Sequence, residues 1–263
     1  MTYLLINLNL LQVNYDIIQQ YLKIYDDKRM NIKSALLDFS KENIGNLSST
    51  YKWPINLDHL PIQLNISGDG SYEKNIDLRF QLHSSYLSSE TFEEKYSLIK
   101  WYIYNWGGVK TNNQKTLELY TSSSPQELIE RGAQGIASWS KALSIINPTE
   151  YAIYDARVAM SINALQIIYD IDSHEYYPPL LSRNKTINSC KEQIKTTIKQ
   201  WKKAKDTDFY QNYLNLLKEV ANDLGNNVTH HDIEMLLFAY AEELALLAVE
   251  QVYAQNKLSE ANH

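Results

Sequence analysis

Lys141 and Asp155 stand fourteen positions apart in the most densely punctuated stretch of the chain, residues 124–165. A lysine amine held among apolar neighbours such as Trp139 gives up its proton more readily and becomes a nucleophile. A carboxylate can stabilise positive charge that develops beside it during a reaction. Each residue also has a plainer reading. Asp155 is placed where a helix starts, so it could serve only as an N-cap. Lys141 could be a surface lysine that lays its stem along apolar neighbours. Other reactive residue types carry less. Ser140 has no located histidine or aspartate partner. His230-His231 lacks a third ligand at suitable spacing and reads as an exposed helix start, so no metal is expected. No cofactor is expected either.

The elements that must position these two residues are mostly helices. Ser124-Pro125-Gln126-Glu127 joins a serine cap, a proline at the first helical position and a glutamate at the third, the strongest helix start in the chain. Gly132 and Gly135 bracket a tight turn, with Gln134 between them. A second helix from Ile136 to about Ile146 turns Ile136, Trp139, Leu143 and Ile146 inward, and Asn147-Pro148 stops it. Tyr151–Tyr154 is extended. Asp155 then caps a third helix with Val158, Ile162 and Leu165 on one side. Elsewhere, apolar spacing predicts helices at 11–25 and 31–42. The alternation in 76–82 (IDLRFQL) predicts a strand. Thr91 and Glu94 start a helix over 92–106 that Gly107-Gly108 ends. A basic helix over 187–205, a helix over 207–224 and a long apolar helix from 232 to 255 complete the chain. The aromatic cluster Tyr96, Trp101, Tyr102, Tyr104 and Trp106 reads first as core packing.

Charge is unevenly spread. The whole chain carries −6, which argues against a generic nucleic-acid binder. Residues 183–205, however, hold eight basic side chains and one acid, whereas residues 206–263 hold ten acids and two lysines. An acidic protein can still turn one basic face to phosphate, and Lys191, Lys195 and Lys199 form a stripe on the basic helix. With 44 % hydrophobic residues the chain can build a sizeable core. The single cysteine, Cys190, excludes an intramolecular disulfide and suits a reducing cytosol. No apolar run approaches membrane length, and a cytoplasmic location with no membrane partner is expected.

Helix, glycine-containing hairpin, helix, then an aspartate at the next helix start is similar to the helix-hairpin-helix DNA glycosylase superfamily. The string SWSKALSIINPTEYAIYDARVA resembles its bacterial 8-oxoguanine-DNA-glycosylase-like branch. Trp106-Gly107-Gly108 and Asp232–Phe238 are weaker echoes. The hairpin here is Gly-Ala-Gln-Gly where the family's is Gly-x-Gly, and the Lys141 to Asp155 spacing is shorter than in well-known members.

The resemblance implies a mainly α, two-lobed helical fold with a few short strands in the N-terminal half. Residues 1–90 would pack on a glycosylase-like core of 91–263, built from the hairpin 124–146, the basic helix 187–205 and the C-terminal helix 232–255. It implies that Asp155 orients the nucleophile or stabilises the oxocarbenium-like sugar, and that Lys141 matches the lysine that attacks C1′ where lyase activity exists. Gly132, Gln134 and Gly135 would hold a phosphate of double-stranded DNA, joined by Arg157, Lys191, Lys195 and Lys199. Trp139 and Tyr154 would wall the pocket for a flipped base. The base would be an oxidised purine, or a hypermodified phage base in a defence role. Two other classes stay open: a DNA-binding module without catalysis on the same scaffold, and a protein-interaction role for the C-terminal helix.

Overall fold

Helix starts in this chain are set by local side chains. In the computed structural model, which describes residues 30–225 and 227–261, Thr91 accepts from the Glu94 amide at 3.2 Å while Glu94 takes the Thr91 amide at 3.0 Å. Ser124 and Glu127 repeat the exchange, and Asp232 takes the Thr229 amide at 2.7 Å. Each exchange satisfies amides that the first helical turn leaves without partners. In chain order the elements are α1 (Ile32–Asn43), α2 (Leu47–Thr50), α3 (Ser71–Ser88), α4 (Phe92–Trp101), α5 (Gln114–Ser122), α6 (Pro125–Ile129), α7 (Ile136–Ile146), α8 (Ala156–Ile168), α9 (Lys185–Lys199), α10 (Phe209–Leu224), α11 (His230–Ala239) and α12 (Ala241–Ala261). A two-residue parallel bridge pairs β1 (Glu175–Tyr176) with β2 (Lys202–Lys203). The architecture is mainly helical. No described helix is long and apolar enough to cross a membrane. The helix expected over 11–25 lies outside the described residues.

Several expectations need correction. Residues 76–82 are the middle of α3, not a strand. Their alternation concealed a helical face made by Asn75, Leu78, Arg79 and Leu82, in which an arginine takes a core position. Among the described residues the only strands lie in the C-terminal half. The basic helix ends at Lys199, and the long C-terminal helix is two helices that meet at Tyr240. The 92–106 helix changes hand-hold at its end. Tyr102–Trp106 is a π turn, closed by Gly107 N–H donating to Tyr102 O at 2.9 Å.

The core is centred on α8, where every residue from Val158 to Ile167 is buried. A helix apolar on all sides must be surrounded, and α12, α11, α1 and α9 pack around it. The polar members of α8 are all used: Gln166 donates to Glu175 O at 2.8 Å and accepts from Glu175 N at 2.7 Å, and Asn163 donates to Tyr177 O at 2.8 Å. α7 is nearly as buried and packs on α3 and the π turn. The link between α7 and α8 thus crosses the centre of the molecule, and it ends at Asp155.

Candidate active site

The link is fixed atom by atom. Tyr210 OH donates to Ala152 O and Tyr213 OH to Ile153 O, both at 2.7 Å. Ile153 N–H donates to Glu234 Oε2 at 2.9 Å, and Tyr154 N–H to Ser140 Oγ at 3.1 Å. Ser140 is therefore a backbone anchor in the core, not a nucleophile. At the end of this strap Asp155 Oδ1 accepts from the Arg157 and Val158 amides at 2.9 and 3.1 Å. The cap reading of Asp155 is correct as far as that oxygen goes.

Asp155 also borders a cleft of about 450 Å³, and Lys141 borders the same cleft. Trp53, Trp106, Tyr51 and Phe238 give it aromatic walls, Arg183 and Lys110 add cations, and Arg157 lies there paired with Glu242 at 2.9 Å. The walls are tied to one another. Trp106 Nε1 donates to Asn75 Oδ1 at 2.7 Å, Asn75 Nδ2 donates to Trp53 O at 2.9 Å, and Trp53 Nε1 donates to Trp106 O at 3.2 Å. Phe238 meets the Trp53 ring edge-on at 5.4 Å and carries the Arg157 guanidinium 5.0 Å above its centre.

Lys141 is 4 % exposed, so it is not a snorkelling surface residue. Its ammonium donates to Ala137 O at 2.6 Å. Its stem lies on Gly107, where a Cβ would stand 2.7 Å from Cε. Burial lowers the affinity of this amine for its proton. The charges of Asp155 and Glu234 act against that shift, and those of Arg183 and Arg79 reinforce it.

Behind the cleft, Glu234 is clamped by Arg79 through two contacts, Nη1 to Oε2 at 3.0 Å and Nη2 to Oε1 at 2.9 Å. Burial alone would raise the Glu234 carboxyl, but the Arg79 charge, with His231 beside it, holds it at about 2. This ion pair sits at 2 % and 5 % exposure, and its carboxylate also carries the Ile153 amide.

Two expected pocket walls are elsewhere. Trp139 is fully buried with its Nε1 donating to Gln134 O, and its ring meets Tyr210. It lies two residues before Lys141 on a helix, roughly 200° around the axis, so it cannot share the lysine's face. Tyr154 precedes Asp155 in extended chain, where neighbours point to opposite sides. It is buried and donates to Pro178 O at 2.9 Å.

The other expected contacts are dispersed. Gly132 and Gly135 adopt the left-handed conformation, at φ 58° and 73°. Gly132 is required there, because Asp206 O would lie 2.8 Å from any Cβ. These glycines and the exposed Gln134 do not border the cleft. Lys191, Lys195 and Lys199 line a separate groove with Tyr176 and Pro179, and Glu192 pairs with Lys195 at 2.6 Å. Of the expected DNA contacts, Arg157 alone reaches the cleft.

The cleft's remaining members, Trp53, Gly107, Gly108, Arg183, Glu234 and Phe238, escaped the reading of residues 124–165. Two short motifs did point to them, since Trp106-Gly107-Gly108 and Asp232–Phe238 both supply cleft residues. Among the described residues no group of three or more His, Cys, Asp or Glu is arranged to hold a metal. No family model matches the chain, and no curated protein or solved structure is significantly similar to it.

Proposed function

We propose that this protein is a cytoplasmic DNA glycosylase of the helix-hairpin-helix kind that accepts a flipped-out base and cleaves its N-glycosidic bond. The observation that carries the reading is the meeting of Asp155 and Lys141 on one aromatic-walled cleft. A cleft of about 450 Å³ falls within the usual size of small-molecule sites. Its aromatic walls offer apolar surface for a base, and extrahelical binding is required because the bond is unreachable inside a duplex.

In the proposed reaction the C1′–N bond breaks with its electron pair leaving on the base, and positive charge grows on the sugar. The Asp155 carboxylate lowers the energy of that charge. Water adds to C1′; one of its protons passes to Asp155 and then to the departing base, leaving an abasic site. Alternatively the Lys141 amine adds to C1′ in place of water. Ring opening to an imine would then permit strand cleavage. The depressed proton affinity of Lys141 favours this second course. The base is an oxidised purine or a bulky modified base such as those of phage DNA.

The experiment is incubation with duplexes carrying such bases, followed by alkali or amine cleavage at abasic sites. Release of a base by the wild type, lost in Asp155→Asn, supports the proposal. No release from any duplex, or full activity of Asp155→Asn, refutes it. A DNA-binding module without catalysis is the second reading, favoured by the capping bonds that by themselves account for where Asp155 stands. It requires salt-dependent DNA binding that Asp155→Asn leaves untouched.

A further inference from the structure

Tyr51 is 3 % exposed and borders the cleft, although it stands far outside the 124–165 pattern that carries the resemblance. Its backbone closes α2, with its N–H donating to Leu47 O at 2.9 Å, and the chain then turns extended. Ser48 Oγ donates to the Glu73 carboxylate and so ties α2 to α3. The Tyr51 ring packs on Phe238 with centroids 5.5 Å apart. An aromatic side chain is thereby fixed in the cleft wall, with a hydroxyl at its far end.

Four side chains with a polar atom are less than a tenth exposed and border the cleft: Tyr51, Trp106, Lys141 and Glu234. Three of them are committed to the protein. Trp106 Nε1 donates to Asn75, the Lys141 ammonium donates to Ala137 O, and both Glu234 oxygens accept from Arg79. The Tyr51 hydroxyl alone has no hydrogen-bond partner among the described residues, and it is not sealed in the core as the Tyr102 hydroxyl is. A nearly buried hydroxyl left unpaired is costly, and a ligand in the cleft can supply the missing partner. Burial holds this hydroxyl protonated, well above the ordinary phenol range, and the charges of Arg79, Glu234 and Asp155 all reach it. It therefore lies toward the end of the cleft where the ion pair and Asp155 stand, as a donor that does not ionise.

We propose that Tyr51 is a further catalytic residue of this cleft, whose hydroxyl donates a hydrogen bond to the flipped-out base as it leaves. When the C1′–N bond breaks, its electron pair passes to the base, and the negative charge spreads onto a carbonyl oxygen or ring nitrogen. A fixed donor at that atom stabilises the transition state more than the ground state. The hydroxyl keeps its proton throughout. The proton that neutralises the free base comes from the water or amine that adds to C1′. Substrates are thus bases with an acceptor on the edge that enters the cleft first. The proposal rests on the reading of the cleft as a base pocket and adds the group that acts on the base, where Asp155 acts on the sugar.

The test is single-turnover base release by the full chain, on duplexes carrying 8-oxoguanine or the modified bases of phage DNA. Protein concentration is varied so that the maximal rate separates from half-saturation. Tyr51→Phe removes only the hydroxyl and should lower the maximal rate roughly 100-fold, while half-saturation stays within about twofold. Replacement of Tyr51 by fluorotyrosine, a stronger donor of the same shape, should keep the wild-type rate or exceed it. A wild-type maximal rate in Tyr51→Phe, or a change in half-saturation alone, overturns the role of the hydroxyl and leaves the glycosylase reading standing. So does a fluorotyrosine variant as slow as Tyr51→Phe, because packing and not donation would then be what is lost. No release from any duplex overturns this role and the glycosylase reading together.

Discussion

Glu234→Gln tests whether the buried ion pair governs both the fold and the position of Asp155. In the native protein one carboxylate serves three bonds, two from Arg79 at 3.0 and 2.9 Å and one from Ile153 N–H at 2.9 Å. Glutamine offers one acceptor oxygen and turns a donor toward a guanidinium that is itself a donor only. Arg79, 2 % exposed, is left as an uncompensated buried charge. Breaking a buried pair in this way costs about 3–5 kcal/mol. For a chain of this size each kcal/mol moves the thermal midpoint by about 2–4 °C, so the midpoint should fall by about 6–20 °C. The measurement is urea and thermal unfolding followed by far-UV circular dichroism. The double variant Arg79→Met with Glu234→Leu buries no charge and should regain most of the loss. A Glu234→Gln cost below about 1 kcal/mol, or a double variant worse than the sum of the singles, would refute the reasoning. Base release measured well below the midpoint should still fall, because the strap that ends at Asp155 has lost an anchor.

Three further outcomes follow from the same geometry. Asp155→Asn keeps an oxygen for the Arg157 and Val158 amides and should change stability by only a few tenths of a kcal/mol, whereas Asp155→Ala should cost about 1 kcal/mol; comparison of the two by denaturant titration separates the cap from any chemical role. His230 is buried with its proton affinity lowered to about 4, chiefly by desolvation and then by the His231 charge. The unfolded chain therefore binds a proton that the folded protein refuses, so stability should fall by up to about 3 kcal/mol as pH drops from 6.5 to 4, and His230→Gln should flatten that slope in pH-dependent unfolding. Gly107→Ala puts a methyl group against the Lys141 stem; borohydride trapping of an imine on abasic DNA should be lost in this variant, and in the wild type it should increase with pH through a value below the ordinary lysine range.

What could be read in advance was local. The caps at Thr91, Ser124, Asp155 and Thr229 each depend on residues within three positions, so the helix starts were legible. The strand expected at 76–82 failed because Arg79 sits inside, and the Glu234 that makes this tolerable lies in a distant helix. The cleft was half legible. Asp155 was legible as a helix start, and its pairing with Lys141 came from the resemblance to the glycosylase motif, but the aromatic neighbours chosen for them were neighbours in sequence, and helical and extended geometry turns those away. The true walls come from Trp53, Trp106 and Phe238, which only tertiary packing assembles. Asn75, the residue that ties two of them together, offered no signal, since a buried asparagine in a helix looks like any exposed one.

The π turn at Tyr102–Trp106 has a consequence for how this site could be altered. It accommodates one residue more than a regular turn would, and each residue advances a helix by about 100°. Removing a single residue from 102–106 would return the segment to ordinary helical phase. Because the π turn spreads nearly the same rotation over that extra residue, a deletion within 103–105 would leave the flanks, Trp106 and Gly107 included, close to where they stand. The wall and the support of the lysine are therefore held by the residues flanking the inserted one, so the segment is sensitive at the buried Tyr102, Ile103 and Trp106 and forgiving of length at the position between them.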